Sequence, residues 1–302
     1  RRSAKPSGIV QISKTGHLTP LRNGRTTITA ESDARSAKIE IQVGKFESRP
    51  PVSFPNDVVP LLTRAGCNGG SCHGTPSGQN NFRLSLLGFE PKKDHEFLTL
   101  ESRGRRISPA APELSLFLQK ASGDQPHKGG VRLKKNGDAY NLISRWIREG
   151  LPYAPENDPT VARIEVFPKT RVMSQKASQQ LVVTAFMSDG TRRDITRSAE
   201  YKPNQEGMAS VDDHGLVSVK EETGTTSIMV RFQKHVAVFM ATIPLGREIK
   251  NLPAERNFID RHIFAKLKTL GLPPSPIAGD SKFLRRVTLD IPGRLPRPQE
   301  TK

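Results

Sequence analysis

The chain has 302 residues, enough for two or three domains, and its 47 Lys and Arg against 30 Asp and Glu give a formal net charge of +17. The basic residues are dispersed and are not interleaved with aromatic residues, which argues against a nucleic-acid-binding protein and predicts no nucleic-acid partner. Solvated surface and the binding of an acidic polysaccharide stay open as explanations of the charge. No apolar run approaches the length of a membrane span.

Both ends of the chain indicate a piece of a longer protein. The sequence begins at Arg1 with neither a Met nor a signal peptide, and it stops at Lys302. We therefore interpret it as a fragment, in which export cannot be read from a leader sequence.

An internal repeat relates residues 9–30 to residues 209–230. Each copy has the pattern strand, Gly turn, strand, second turn and strand. The second copy is preceded by residues 162–196, whose period-two alternation is typical of strands with one buried face. The alternating residues are Ile164, Val166, Leu181, Val183 and Ala185.

Short phrases in the second copy resemble the bacterial Ig-like group 2 domain. They are an opening strand that ends at Pro168, the turn Ser188-Asp189-Gly190-Thr191, and the block Gly215-Leu216-Val217-Ser218-Val219. The resemblance covers residues 160–245 fully and residues 1–44 as a C-terminal half. It implies β-sandwiches that serve as spacers or adhesion modules outside the cell. Five methionines are then expected to pack in or on the later sandwich rather than bind metal: Met173, Met187, Met208, Met229 and Met240.

Both cysteines lie in the segment Cys67-Asn68-Gly69-Gly70-Ser71-Cys72-His73-Gly74. Two thiols followed at once by an imidazole are the pattern by which a chain attaches haem covalently. Cys67 and Cys72 would form the thioether bonds, and His73 would be the proximal iron ligand. The usual spacing is two residues between the cysteines, whereas here there are four, and the two glycines make the wider loop easy to form.

Two other interpretations of these cysteines stay open. Cys67 and Cys72 can close a disulfide, as in many extracytoplasmic proteins. They can also supply two ligands of a zinc site completed by His73, His95 or His127, although structural zinc sites normally do not use consecutive residues such as Cys72 and His73.

Helical patterns lie on both sides of the cysteine motif. Residues 54–64 predict a short helix that starts at Pro55 or Asn56 and leads to Cys67. Asp138 is predicted to cap a helix over 139–149 that Gly150 and Pro152 end, with an apolar face formed by Tyr140, Ile143, Trp146 and Ile147. A helix, a haem loop and a closing aromatic helix indicate a cytochrome c-like domain.

Residues 52–154 resemble the cytochrome c-like domain of large secreted proteins of planctomycetes and related bacteria. The resemblance rests on the cysteine motif and on three further blocks in the same order, residues 105–116, 126–130 and 142–147. It implies haem c as the cofactor and an extracytoplasmic location: periplasm, cell surface or secreted.

The sixth iron ligand and the propionate contacts are less well defined by the sequence. His127 lies in the turn-rich block Pro126-His127-Lys128-Gly129-Gly130 and is the candidate sixth ligand, with a solvated histidine and an open or water-bound iron as the alternative. His95 lies among charged residues and is expected to be exposed. Arg105 and Arg106, with Arg103, are candidate contacts of the haem propionates, or else plain surface residues.

The C-terminal segment changes character again. Residues 254–270 predict a helix that Gly271 ends, and a second helix is predicted to be capped by Asp280 or Ser281. Residues 250–302 resemble the start of an uncharacterised domain that accompanies the cytochrome-like one in the same proteins. That resemblance carries domain order but no reaction.

The sequence thus predicts a multidomain fold, in which all-β Ig-like sandwiches flank a mainly α cytochrome c-like domain and a helical segment ends the chain. The favoured function is haem-dependent electron transfer with a redox partner that the sequence does not identify. The alternative is a haem-free adhesion or carbohydrate-binding scaffold with a Cys67–Cys72 disulfide. No nucleophile triad, phosphate loop or supported acid pair is present, so the sequence assigns no catalytic residue.

Overall fold

A computed structural model describes residues 2–32, 35–48 and 50–301 of the chain; Arg1 and Lys302, which bound the first and last predicted domains, lie outside the described residues. The fold is mixed, with many β-strands and a smaller number of helices. The chain forms two compact units. Unit 1 comprises Arg1–Val58, Gln79–Leu84 and Glu90–Asp158, and unit 2 comprises Val59–Gly78, Ser85–Phe89 and Pro159–Lys302.

The first part of unit 1 is all β. Its strands are β1 (Arg2–Lys5), β2 (Val10–Ile12), β3 (Leu18–Pro20), β4 (Gly24–Ser32) and β5 (Arg35–Val43). They form an antiparallel sheet in the order β1-β4-β5 and a separate β2-β3 pair. Only a small apolar cluster, centred on Ile9, Val10 and Ile28, lies beneath them.

The second part of unit 1 is helical. It contains a π-helical turn (Phe54–Val58), which continues along the chain into α1 (Val59–Arg64) of unit 2, and then α2 (Pro91–Thr99), α3 (Leu116–Ser122) and α4 (Asp138–Arg148). Single 3-10 turns occur at Glu101–Gly104 and Pro112–Leu114. Its largest fully buried side chains are Trp146, Phe54, Leu98, Leu118, Ile143 and Ile147.

Helix α4 has the apolar face that its spacing predicts, but its N-terminus differs. Gly137 is the N-cap residue and Asp138 is the first helical residue, without a side-chain capping bond. A carboxylate in the first turn still stabilises the helix through its dipole. The aromatic and aliphatic face, including Tyr140, Ile143 and Trp146, is buried as expected.

Unit 2 is dominated by ten strands: β6 (Val161–Phe167), β7 (Thr170–Val172), β8 (Ser178–Gln180), β9 (Val182–Met187), β10 (Arg192–Asp194), β11 (Glu200–Pro203), β12 (Ala209–Val211), β13 (Leu216–Val219), β14 (Gly224–Phe232) and β15 (His235–Ile243). They form three sheets in the orders β10-β9-β6, β11-β14-β15-β7 and β12-β13-β8. All described pairings are antiparallel except β15 with β7.

The core of unit 2 follows the predicted alternation. Ile164, Val166, Val183, Ile228 and Val230 are buried, and so is Leu181. Val211 of β12 and Leu216 of β13 are only partly buried, and the buried positions of β13 are Val217 and Val219. Met173, Met187 and Met208 lie in this core, whereas Met240 is 44% exposed.

The internal repeat is visible as matched geometry. Strands β2, β3 and β4 correspond to β12, β13 and β14, and each set contains one antiparallel pair followed by a nine-residue strand. Both long strands begin at a glycine with positive φ, +149° at Gly24 and +153° at Gly224. A Cβ atom would lie 2.6 Å from the Ile9 side chain at the first position and 2.9 Å from that of Met208 at the second. Because Ile9 and Met208 are approached at the ends of flexible side chains, it is mainly the positive φ that favours glycine at both positions.

Two helices, α5 (Phe258–Leu270) and α6 (Asp280–Asp290), and a 3-10 turn (Pro298–Glu300) follow the last strand. Helix α5 begins four residues later than the predicted 254, because Asn257 and Asp260 form a capping box there. Gly271, in the left-handed conformation, ends the helix as predicted. Gly279 is the N-cap residue of α6, and Asp280 is its first residue rather than its cap.

Candidate functional site

The cysteine motif lies in unit 2, directly after α1. Helix α1 ends in a Schellman motif, in which Gly66 is left-handed and donates to the carbonyl oxygen of Thr63, while the N–H of Cys67 donates to that of Leu62 at 2.9 Å. The helix end therefore fixes the position of Cys67.

Main-chain hydrogen bonds then fold the motif back on itself. The N–H of Cys72 donates to the carbonyl oxygen of Gly69 at 2.9 Å, and the N–H of Gly74 donates to the same oxygen at 3.1 Å. The N–H of His73 donates to the carbonyl oxygen of Cys67 at 3.0 Å. The turn at Gly69 thus takes up the two additional residues of the wide spacing and returns Cys72 and His73 to Cys67.

Asn68 links this loop to its surroundings and is 1% exposed. Its side-chain Nδ2 donates to Thr63 Oγ1 at 2.9 Å, and its carbonyl oxygen accepts from the N–H of Leu87 at 3.0 Å. Its Oδ1 is buried without a hydrogen-bond partner among the described residues. A buried amide oxygen without a hydrogen bond lowers the stability of the folded state. The bonds from Asn68 to Thr63 and Leu87 offset that loss and keep the loop in place.

Gly74 is required by space rather than by φ. A Cβ atom at this position would lie 2.1 Å from the carbonyl oxygen of Asn68 and 2.9 Å from that of Gly69. Both neighbours are main-chain atoms that cannot turn aside. The glycine after the histidine is therefore what allows the chain to pass so close to the loop.

The reactive side chains differ in exposure. Cys67 is buried at 9% exposure, whereas Cys72 and His73 are half-buried. The two cysteines carry thiols and are not joined to each other in the described part of the chain. Leu86 lies beside the loop, 3.8 Å from where a Cβ atom of Gly70 would be, and is 52% exposed. Phe89, 72% exposed, extends this apolar surface along the chain.

Helix α1 is fixed to the sheet region of unit 2 by Arg64. Its guanidinium donates to the main-chain oxygen atoms of Arg197 and Asp213. Tyr201 lies in the same region and donates its hydroxyl to the carbonyl oxygen of Thr196 at 2.7 Å. Burial, together with the nearby carboxylates of Asp194 and Asp212, raises the pKa of Tyr201 well above its ordinary range. The scaffold that carries the cysteine loop is thus hydrogen-bonded at two points.

The other predicted haem contacts belong to unit 1. His127 is half-buried, and its Nδ1 lies 3.0 Å from the carbonyl oxygen of Gly130. Because a carbonyl oxygen only accepts, this contact puts the proton on Nδ1. Arg103 and Arg105 are exposed.

Arg106 is buried and serves the structure of unit 1. Its guanidinium donates to the carbonyl oxygen atoms of Phe97 (2.9 Å), Glu101 (3.1 Å) and Asn81 (2.6 Å), and it stacks on the ring of Phe82. Desolvation by burial lowers its pKa, which stays high enough for the group to remain charged. These bonds occupy most of the donors that a propionate contact would use.

His95 was expected to be exposed, and that expectation is wrong. Its Nε2 lies 2.8 Å from the carbonyl oxygen of Leu151, and its ring packs edge-on against Phe54, Trp146 and Tyr153 at centroid distances of 5.0, 5.9 and 5.6 Å. The charged neighbours in sequence point elsewhere because they occupy the other faces of α2. The helical spacing between His95 and buried Leu98 was the signal that could have located it.

Among the described residues, no group of three or more His, Cys, Asp and Glu side chains lies close enough together to hold a metal ion. The zinc interpretation therefore has no ligand set among them.

Two carboxylates stabilise turns of unit 2. Asp189 accepts a hydrogen bond from the main-chain N–H of Thr191, and Asp212 accepts hydrogen bonds from the main-chain N–H groups of His214 and Leu216. These carboxylates stabilise turns, as their positions predict.

The described helices are all too short or too polar to cross a membrane. Residues 258–302 match the family model PSCyt2, described as a protein of unknown function (DUF1549), which agrees with the expectation of an uncharacterised C-terminal domain. No curated protein matches the chain.

Solved structures of the S-layer protein SbsC show a distant likeness. Its domains 4 and 5 share 14% identity over 28% of this chain and 53% of that chain, with a TM-score of 0.25. The structure of rSbsC(31-844) shares 8% identity over 92% of this chain and 24% of that chain, with a TM-score of 0.27. This chain thus spans about half of the first and a quarter of the second. At these TM-scores the likeness carries no argument about fold or function.

Proposed function

We propose that this chain is part of an extracytoplasmic c-type haem protein whose role is electron transfer. The observation that supports this most is the bond from the His73 N–H to the Cys67 carbonyl oxygen, at 3.0 Å, which closes the loop between the two residues. The loop carries two cysteines and one histidine, which are the residue types that covalent haem attachment needs.

The residues of the loop fit haem c in chemistry and in surroundings. Cys72 and His73 are half-buried and accessible, and Leu86 and Phe89 leave apolar surface uncovered in the same unit. Cys67 and Cys72 would form the thioether bonds, and His73 would ligate the iron. Haem c supplies one-electron redox chemistry when it is bound. The chain's own part is to fix the backbone that carries His73, through the main-chain bonds from His73 to Cys67 and from Cys72 and Gly74 to Gly69.

Residues 52–154 would then form the cytochrome c-like domain, and His127 would be the sixth ligand. The bond from His127 Nδ1 to Gly130 supports this role, since a metal-ligating histidine commonly donates its other ring N–H to a carbonyl oxygen. Arg105, which is exposed and has no ion pair among the described residues, is a better propionate partner than buried Arg106, whose guanidinium already donates to carbonyl oxygen atoms.

The β regions fit Ig-like spacers. Residues 160–245 contain a packed apolar core between antiparallel strands, and residues 1–44 repeat the geometry of their C-terminal half. Such modules are typical of proteins outside the cytoplasm, which is where we place this chain.

A pyridine haemochrome spectrum tests the proposal. The chain should be produced in a bacterium with a c-type cytochrome assembly system and then extracted with acidic acetone. We expect the haem spectrum to stay with the protein. Colour that leaves with the solvent, or protein without haem, would contradict the proposal and favour the haem-free scaffold.

A further inference from the structure

The outer face of the β10-β9-β6 sheet in unit 2 forms an open groove of about 800 Å³, within the usual range of ligand-binding sites. The groove is lined by residues of β6, β9 and β10 and by the chain between β6 and β7. Neither the cysteine motif nor the helices of the chain contribute to it.

The strand register arranges the side chains of this face in rows. Arg163, Phe186 and Arg192 lie side by side on the three strands, and Glu165, Thr184 and Asp194 form the next row. Phe167 and Val182 follow, and Phe167 is 74% exposed. The face thus changes from cationic, through polar, to aromatic within the width of a few residues.

Arg192 is one cation of this groove that is available to a ligand. Its guanidinium lies over the ring of Phe186, 5.1 Å from the centroid, which restricts its orientation, and no described carboxylate forms an ion pair with it. Arg163, by contrast, stacks on the same ring at 3.4 Å and is paired with Glu165 at 2.8 Å. A stacked, unpaired guanidinium presents its donor fork to a carboxylate or sulfate.

The carboxylates of the groove are already engaged. Glu165 is bound to Arg163, and Asp194 Oδ1 accepts from the N–H and the hydroxyl of Thr196 at 2.9 and 2.6 Å. Lys169, exposed and without an ion pair in the described part of the chain, adds a second positive charge to the lining. Hydrogen-bonded carboxylates keep their charge, but the lining has more cations (Lys169, Arg192 and Arg193) than anions (Glu165 and Asp194), so its net charge is positive.

The second feature is aromatic. Phe167 lines the groove and is 74% exposed, and Thr170 and Thr184 belong to the same lining. The electron-rich face of an aromatic ring favours the weakly positive C–H groups of a sugar ring, and hydroxyl groups pair with hydroxyl groups. Inorganic anions and extended phosphate chains make no use of such a surface.

We propose that this groove binds an acidic oligosaccharide, with Arg192 and Lys169 contacting carboxylate or sulfate groups and Phe167 packing against a sugar ring. The site is separate from the cysteine motif, so its occupation does not depend on haem.

Calorimetric titration of the full chain tests this assignment, with oligogalacturonate, a sulfated dextran, neutral dextran and polyphosphate as probes. We expect the two acidic saccharides to bind and neutral dextran not to bind; the tighter of the two identifies the anionic group. Arg192→Ala should weaken binding about tenfold, because it removes a charge-assisted hydrogen bond. Arg192→Lys should restore only part of it.

Two variants distinguish a specific binding site from non-specific attraction between a positively charged protein and polyanions. Arg25→Ala removes an exposed arginine from β4 in unit 1 and should leave the affinity within about twofold of the unmodified protein, as expected for a distant surface charge. Phe167→Ala should weaken the saccharides and leave polyphosphate unchanged. Equal losses in Arg25→Ala and Arg192→Ala, or binding of polyphosphate as tight as that of the saccharides, would overturn the proposal.

Discussion

The main-chain N–H of His73 donates to the carbonyl oxygen of Cys67, with 3.0 Å between the two atoms. This bond brings the backbone of His73 next to that of Cys67 although five residues separate them. In a motif with two residues between its cysteines, a shorter loop brings the histidine back to the first cysteine. Here the turn around Gly69 accommodates the longer one.

Gly74→Ala should destabilise the protein by about 1–3 kcal/mol, because the added carbon overlaps the carbonyl oxygen of Asn68 and the loop must move. Urea unfolding measures the effect. Gly44→Ala is the matched control, since nothing lies within 4 Å of its Cβ position. Equal midpoints for the two variants would show that the close approach at Gly74 is not required.

Tyr201→Phe should lower the free energy of unfolding by about 0.5–1.5 kcal/mol near neutral pH, because it removes the bond to Thr196. The raised pKa of Tyr201 means that its neutral form is favoured by the folded state. Its contribution is fully present below the unfolded pKa of about 10 and is lost as pH rises from there towards the folded pKa.

Unfolding measured between neutral pH and pH 11 should therefore show a steeper decline in the unmodified protein than in Tyr201→Phe, so that the two curves approach each other at high pH. Parallel curves would rule out the linkage.

His95→Ala should destabilise the protein by about 2–3 kcal/mol, since it removes edge-on ring contacts and the bond to Leu151. Thermal unfolding is the measurement. Lys92→Ala, an exposed position on the same helix, should change little. A loss as small as that of Lys92→Ala would mean that the aromatic cluster does not depend on His95.

His127→Ala should convert a six-coordinate, low-spin haem spectrum into a high-spin one and raise the reduction potential, because the variant loses the proposed sixth ligand. His95→Ala should leave the spectrum unchanged, since its Nε2 is used to bind Leu151. An unaltered spectrum in His127→Ala, or a methionine-to-iron band in the unmodified protein, would exclude the assignment.

The sequence predicts those parts of the fold that depend on local periodicity and turn chemistry. The alternation through Val183 and Ala185 and the helical spacing through Ile143 and Trp146 both produce buried faces. Capping is less predictable: Asp138 and Asp280 are adjacent to glycines, and the glycine takes the N-cap position in each case. The sequence does not decide between two adjacent residues for the N-cap position, because a helix can begin at either of them.

The candidate site was predictable in its residue types but not in its construction. Both thiols and the imidazole are visible in the sequence, whereas the Schellman motif at Gly66 and the buried Asn68 depend on contacts formed only by folding. For Arg106 and His95, the residue type and the sequence context both indicated the wrong environment. Each lies among charged neighbours in sequence, and each is held by carbonyl oxygen atoms that sequence periodicity does not reveal.

The central claim is covalent haem attachment at Cys67 and Cys72, and intact-protein mass spectrometry tests it most directly. Protein from a host with a c-type assembly system should be heavier than the calculated chain by the mass of one haem. Cys67→Ser with Cys72→Ser should abolish this increase. A chain of unmodified mass, or one lighter by the two hydrogens lost on disulfide formation, would contradict the account.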